Sequence, residues 1–476
     1  ERGINRMIQF GTGGWRAVIG DGFTKANIQR MSTALAKKMQ DEDVAEKGIV
    51  IGYDRRFLSE EAAVWAAEAF AGAGVPSFII HRQSPTPLVM FAVKQMALPY
   101  GIAVTASHNP AVYNGIKLIM QGGRDADEPL TQVLEGYIRT LDDADIRPLA
   151  MEQACAQGYV QDIDPMNEYI DSILGAIDTD AIRRAHLHVA LDPMYGVSKT
   201  ALQTILLTAR CDVAVIHERR DTLFGGRLPA PSRKTLTGLA NYVEENHSDI
   251  GIATDGDADR LGVIDDKAEF LHPNKILVLL YYYLIRYKGW QGAVVRNIAT
   301  THLLDRIAED FGETCYEVPV GFKYISGKMA ATGAIIGGES SGGLTVRGHI
   351  PGKDGIYAAA LLIEMLATTG KSLSALWAEI ETRYGRYEMT EHAFRFTQEK
   401  RAAIHKTLVE DKLLPVFGKA ISQVSYLDGC KVYFQDGSWI IARFSGTEPL
   451  LRILCEAGSL AQAEQLSAAL QDFLVL

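Results

Sequence analysis

The chain has little cysteine, no long apolar run and no surplus of positive charge, and each shortage removes a class of function. Its five cysteines (Cys155, Cys211, Cys315, Cys430, Cys455) are dispersed, odd in number and free of CxxC spacing, which argues against zinc sites and a disulfide framework. They read as buried free thiols in a reducing compartment, and a cytoplasmic location is expected. No stretch approaches the ~20 apolar residues of a membrane span, and no charged-then-apolar leader opens the chain. The longest apolar run, residues 276–285, reads as a core helix, so no membrane partner is expected. The formal net charge is -10, so overall charge offers nucleic acid no footprint. An anionic ligand must be met by local cations and glycine-rich turns.

What is present is the composition of a globular protein. The 476 residues are 47% apolar and 22% charged, too long for one core and suited to three or four domains. Residues 48–54, 75–80 and 101–105 read as buried strands and residues 60–72 as a helix. This alternation implies a mainly parallel sheet with helices on its faces. The pattern recurs in the apolar segments 187–192, 250–255, 292–297 and 334–338. After about Arg386, shorter alternating segments such as 439–444 suggest antiparallel strands packed with helices. The expected architecture is three similar mixed α/β domains (1–152, 153–270, 271–385) and a smaller C-terminal α+β domain (386–476). Ligands of parallel sheets collect beyond the carboxyl ends of the strands, and most of the informative motifs stand there.

Thr105-Ala106-Ser107-His108-Asn109-Pro110 follows an apolar strand. A serine on this proline-limited turn is expected to be exposed, as a nucleophile, a phosphate carrier or a helix N-cap. No GxSxG elbow surrounds it, which makes a hydrolase triad a poor fit. In Asp255-Gly256-Asp257-Ala258-Asp259-Arg260, carboxylates at alternate positions can converge on one hard cation where the loop curves, and Gly256 is expected to permit the curve. An EF-hand would need Gly and Glu where Arg260 and Asp266 stand. Three carboxylates leave room for a phosphate oxygen in the shell, as phosphoryl transfer requires. Arg443-Phe444-Ser445-Gly446-Thr447-Glu448-Pro449 reads either as a phosphate cradle of backbone N–H groups, hydroxyls and a guanidinium, or as an ordinary hairpin turn. Gly337-Gly338-Glu339-Ser340-Ser341-Gly342-Gly343 suits sugar hydroxyls, which both donate and accept. A plain flexible loop would look the same.

Together, and in this order, the four motifs resemble the α-D-phosphohexomutase family, which contains phosphoglucomutases and phosphomannomutases. The resemblance covers nearly the whole chain and implies four domains around a central cleft. It implies an intramolecular phosphotransferase that interconverts hexose 1- and 6-phosphates through phosphoserine at Ser107 and a 1,6-bisphosphate. By resemblance, Mg2+ is held by Ser107, Asp255, Asp257 and Asp259, and glucose 1,6-bisphosphate is both intermediate and activator. Lys117, in Asn114-Gly115-Ile116-Lys117, matches the lysine that handles the proton at the sugar oxygen, with a solvated lysine as the plainer reading. Arg16 matches an arginine on the transferring phosphate. His108 orients the loop or merely packs, and Arg260 serves the phosphate or neutralises the aspartates. Glu339 and Ser341 match residues on the sugar's 3- and 4-hydroxyls. Arg443, Ser445, Gly446 and Thr447 match the loop on the phosphate that is not reacting.

Four features depart from the pattern common among bacterial glucose/mannose enzymes and their family. Gly343 stands where a His is common, Gly321-Phe322-Lys323 replaces a Gly-His loop, and Ser340 and Phe444 replace a common Glu and Pro. The Gly-aromatic-Lys form is similar to phosphoglucomutases, with Lys323 on substrate. The leading expectation is a phosphoglucomutase, monomeric or dimeric, acting on a small phosphosugar. A phosphomannomutase or dual-specificity enzyme stands next, followed by a phosphopentomutase, a phosphoglucosamine mutase and a metal-dependent sugar phosphatase.

Overall fold

A computed structural model of the chain describes residues 8–11, 13–445 and 450–476. The chain folds into two compact units, one of Glu1–Leu280 with Ser341–Ser374, the other of Tyr281–Ser340 with Ala375–Leu476. Among the described residues no single helix is long and apolar enough to cross a membrane. All five cysteines are free. Cys211, Cys430 and Cys455 are buried, whereas Cys155 is exposed rather than buried as expected.

The first unit holds two sheets. The first has the order Phe10–Gly11, Gly14–Val18, Tyr113–Met120, Tyr100–Val104, Ile49–Tyr53, Ser77–Ile80, Val160–Ile163. Its last four strands run parallel and the others antiparallel. Val160–Ile163, beyond the boundary expected at 152, pairs with Ser77–Ile80. Ile49–Tyr53 and Tyr100–Val104 are buried at every residue. Helices cover both faces of a parallel sheet, so its central strands are continuously apolar. The second sheet has the order Asp212–Val215, His188–Asp192, Ile250–Thr254, Leu261–Ile264, Phe270–Leu271. The Gly355–Thr369 helix, from much later in the chain, packs on this sheet and on the Thr179–Ala185 and Lys199–Thr208 helices. Its mean composition is so apolar because twelve of its residues are buried.

In the second unit Cys315–Val318, Val294–Asn297 and Ile336–Gly338 form a parallel trio. The C-terminal segment is antiparallel, in the order Glu388–Arg395, Leu450–Ala457, Trp439–Phe444, Cys430–Phe434, Ile421–Ser425. Strand Trp439–Phe444 is apolar on both faces for a reason visible in its packing. Ile440 and Ala442 join the core under the C-terminal helix Leu460–Leu474, while Trp439 and Ile441 pack against Ile298 and Ala299.

On that second face the side chain of Lys431 is fully buried. Its ammonium donates to the Ile298 carbonyl at 2.6 Å and lies 2.8 Å from a Glu317 carboxylate oxygen and 2.9 Å from His302 Nε2. The Trp439 ring lies 4.3 Å away. Arg296 bridges Glu317 and Asp305. Burial, reinforced by Arg296, pushes Lys431 down to about 7, and burial with Arg296 and Lys431 pushes His302 down to about 3. Glu317 is half-buried, which opposes its ionisation, but hydrogen bonding from His302 and the charges of Lys431 and Arg296 hold it far below the carboxylate range. Between pH 7 and the usual lysine range only the unfolded chain keeps the Lys431 proton, so stability contributed by this group rises with pH there. Chemical denaturation of wild type and Lys431→Met from pH 7 to about 9 should therefore show a midpoint that rises in wild type and stays flat in the variant. Parallel curves would show that Lys431 does not titrate in this range.

Candidate functional site

Ser107 stands three residues past the Tyr100–Val104 strand and is 1% exposed. The exposed serine expected from the proline-limited turn is thus corrected: neighbouring loops close over it. Its φ is 51°, a left-handed conformation that costs a non-glycine residue on the order of 1–3 kcal/mol unless its surroundings enforce it. The enforcing group is Arg56, a fully buried residue. Its guanidinium donates to the carbonyls of Ser107 and Asn109 at 2.7 Å, Pro110 at 2.9 Å and Tyr113 at 3.1 Å, and it packs over the Phe224 ring. Asp54 takes the Thr105 and Ser59 hydroxyls at 2.6 and 2.7 Å and lies 3.4 Å from Arg56 Nε. Thr105 Oγ1 in turn accepts the Ser107 N–H. Neither Arg56 nor Asp54 was singled out by sequence, because both serve backbone and neighbouring hydroxyls.

Asp255, Asp257 and Asp259 are all fully buried and bring one carboxylate oxygen each within 4.8 Å of the others. The loop curves at Ala258, whose φ is 62°, and not at Gly256 as expected. Gly256 is needed for a different reason: a Cβ there would stand 2.7 Å from the Ser107 carbonyl oxygen. The two loops can approach only because that side chain is absent. Ala258 is held in turn by the N–H of Gly355, which donates to its carbonyl at 3.1 Å. Gly355 opens the Gly355–Thr369 helix, whose N-cap Asp354 accepts from Ile356 and Tyr357.

Ser107 Oγ donates to Asp255 Oδ2 at 2.8 Å, and the Arg260 N–H to Asp255 Oδ1. Asp257 Oδ2 accepts from Thr86 Oγ1 and Lys117 Nζ, both at 2.6 Å. Asp259 Oδ2 accepts from Lys117 at 2.6 Å and pairs with Lys353 Nζ at 2.8 Å. The remaining oxygens, Asp257 Oδ1 and Asp259 Oδ1, are buried without a hydrogen-bond partner. Such unsatisfied carboxylate oxygens, beside a serine hydroxyl, are the donor set a hard divalent cation takes. Burial and then the charges of Asp257 and Asp259 raise Asp255 well above the carboxylate range. Burial opposes ionisation of Asp257 and Asp259 too, but Lys117 outweighs it at both, joined at Asp259 by Lys353 and Arg260, and both groups titrate low.

Lys117 is not the solvated lysine of the plainer reading. It is buried, and Asp257 and Asp259 overcome that burial to keep its ammonium charged. Arg16, in the Gly14–Val18 strand, pairs across the sheet with Gly115 and donates to Asn109 Oδ1 at 2.7 Å, so it rims the serine loop. His108 Nδ1 lies 3.3 Å from Ser107 Oγ. Burial, Arg260 and Arg16 push its imidazole so low that it stays neutral. Arg260 Nε lies 4.0 Å from Asp259.

Lys353 was not anticipated from the sequence. A side chain at Gly343 would collide with the Lys353 aliphatic stem, so the glycine at this departure from the common pattern makes way for a cation on Asp259.

Ser341 belongs to the first unit and is exposed. The remaining expected residues form a separate group in the second unit. Glu339 Oε1 accepts the Gly321 N–H at 3.1 Å. Arg443 Nε donates to Asp428 Oδ2 at 3.3 Å, and the same oxygen accepts the Val320 N–H at 3.0 Å. Lys323 Nζ lies 5.0 Å from the Tyr324 ring centre, and the Ser445 N–H donates to the Leu450 carbonyl. Gly446 and Thr447 lie outside the described residues.

Four family models match along most of the chain. They are those of phosphoglucomutase/phosphomannomutase alpha/beta/alpha domain I at residues 7–145, domain II at 167–268 and domain III at 272–384, and of the C-terminal domain at 398–472. A phosphoglucomutase/phosphomannomutase of Thermococcus kodakarensis is 28% identical over 96% of both chains. A protein of Methanocella arvoryzae, named a probable phosphoglucosamine mutase, is 30% identical over 97% of this chain and 96% of its own. A solved structure from Thermus thermophilus, provisionally named a phosphomannomutase, superposes with a TM-score of 0.85 at 29% identity over 99% of both chains. The chain belongs to the phosphoglucomutase/phosphomannomutase family of α-D-phosphohexomutases. It is an isomerase of the intramolecular phosphotransferase type.

Replacing Gly256 by Ala should force the serine and aspartate loops apart and lower turnover by about 10²-fold, the scale of an ångström-level misplacement. Steady-state kinetics with circular dichroism as a folding control checks this. Unchanged turnover would show that the close approach is dispensable.

Proposed function

We propose that the protein is a phosphoglucomutase acting in the cytoplasm, where its thiols stay reduced. Ser107 carries the phosphate, passes it to the free 1- or 6-hydroxyl of a glucose phosphate, and recovers the other phosphate from the resulting 1,6-bisphosphate. The observation that carries this reading is Ser107 Oγ at 2.8 Å from Asp255, beside two buried carboxylate oxygens without partners. Once phosphorylated, Ser107 together with the three aspartates would hold a divalent cation. Mg2+ bound there would neutralise charge on the transferring group. Lys117, kept protonated by Asp257 and Asp259, gives its proton to the sugar oxygen as the phosphate leaves it for Ser107, while the Ser107 hydroxyl proton passes to Asp255, to which it is hydrogen-bonded. Both protons move back when the phosphate goes the other way. Arg16 and Lys353 meet the phosphate from the sides, and neutral His108 hydrogen-bonds the serine oxygen.

Glu339 and Ser341 read the sugar's 3- and 4-hydroxyls, with Lys323 nearby. Arg443, Ser445, Gly446 and Thr447 hold the phosphate at the far end. Because that cradle accepts either end, one centre serves both orientations. Glucose is favoured over mannose by the Gly321-Phe322-Lys323 form of the loop. A phosphoglucosamine mutase is the second reading, supported by the names of several relatives.

Initial rates on glucose, mannose, glucosamine and ribose 1-phosphates, with Mg2+ and a trace of glucose 1,6-bisphosphate, test the proposal. The glucose compound should be fastest, and a faster glucosamine compound would replace the first reading by the second. Ser107→Ala should lose isomerisation and the added mass of about 80 Da (one phosphoryl group). Release of free phosphate without isomerised sugar would overturn the mutase reading. Chelation of the metal should abolish turnover, with recovery on adding Mg2+.

A further inference from the structure

The structure assigns Asp428 a role as a positioning residue that builds the phosphate-binding Arg443 and the sugar-reading Glu339 on one turn of backbone. The assignment rests on the reading that Arg443 holds the distal phosphate and Glu339 the sugar hydroxyls. Asp428 Oδ2 accepts the Arg443 Nε–H at 3.3 Å and the Val320 N–H at 3.0 Å. The next N–H along, that of Gly321, donates to Glu339 Oε1 at 3.1 Å. Successive peptides therefore fix the two carboxylates, one of which orients the guanidinium.

Three features make this turn stiff. Gly321 has a φ of 135°, accessible to glycine and strained for any other residue. The turn is held at both ends, by strand Cys315–Val318 before it and helix Phe322–Thr332 after it, with Val318, Phe322 and Ile325 in one apolar cluster. Gly429, next to Asp428, has a φ of 89°, and a Cβ there would collide with the Ala442 carbonyl and stand 2.8 Å from Arg443 Cβ. The Asp428-Gly429 turn is thus pressed against the strand that carries Arg443.

The chemistry of the guanidinium gives this arrangement its use. With Nε engaged by Asp428, the two terminal nitrogens form the outer edge of a planar fork, the edge that pairs bidentately with a phosphate. The side chains of Arg443 and Asp428 are 13% and 23% exposed, so rotation of the fork is restricted before substrate arrives. Loss of the Asp428 charge would free the fork and weaken the Val320 N–H bond, and Gly321 would transmit the shift to Glu339. A sugar with altered hydroxyls and a sugar with an altered phosphate would then be felt through the same turn.

The test is a set of three single variants, Asp428→Asn, Glu339→Gln and Arg443→Ala, with the double variant Asp428→Asn/Glu339→Gln. Each is assayed on glucose 1-phosphate and glucose 6-phosphate, with kcat normalised to the fraction of Ser107 that takes up phosphate. Asp428→Asn should raise KM about 10-fold for both substrates, the scale of one charge-assisted hydrogen bond, with kcat and melting temperature nearly unchanged. The double variant should raise KM by less than the product of its single effects, because both act on one turn. Unchanged KM in Asp428→Asn, a fall in kcat alone, or single effects that simply multiply would overturn the assignment. Arg443→Ala separates the two levels: an unaffected KM there would sink the cradle reading, whereas a raised KM with a silent Asp428→Asn would sink only this proposal.

Discussion

Three carboxylates buried completely within a few ångströms of one another are the constraint on which the first unit depends. Removing a charge of this kind from water costs several kcal/mol per ion, and mutual repulsion adds to it. The chain meets the cost with two ammonium groups and an arginine, drawn from the Tyr113–Met120 strand, the segment before the Gly355–Thr369 helix and the aspartate loop itself. Compensation remains incomplete, and that incompleteness is the functional content: two oxygens face inward with nothing to accept from. A centre that saturated its own aspartates would have no affinity left for a cation.

The second constraint is conformational. Ser107 and Ala258 both adopt left-handed backbone without being glycine, so each must be over-determined by its surroundings. Arg56 does this for the serine with four carbonyl contacts, and Gly355 for the alanine with one N–H and a close approach. Binding energy and backbone strain are set against each other within one small volume, which fixes the serine hydroxyl relative to the carboxylates.

Much of this was legible in the sequence because its spacing is chemical. Carboxylates at alternate positions after an apolar run, and a serine between a strand and a proline, carry their own reasons. The parallel strands of the first three sheets were legible from apolar runs, since covered parallel strands leave no polar face, and the antiparallel fourth from its alternating segments. The supporting groups were not. Arg56 makes its bonds to carbonyls, which every residue has, and Lys353 reaches Asp259 only through the fold. Gly256 was read as a hinge when its contribution is absent volume, a property that depends on what lies opposite. The burial of Ser107 was missed for the same reason, as the loops that cover it come from elsewhere in the chain. Lys431 owes its burial to the packing on the second face of its sheet, which the residues of its own strand do not reveal.

The N–H of Gly355 on the Ala258 carbonyl also orders events during synthesis. Domains close as their residues emerge from the ribosome, the N-terminal parts first. The aspartate loop, however, lacks the bond that holds its final curve until a helix about a hundred residues downstream has emerged and docked. A nascent chain thus carries Ser107 and all three aspartates in the open for several seconds at ordinary rates of elongation, but without the geometry that would let them grip a cation firmly.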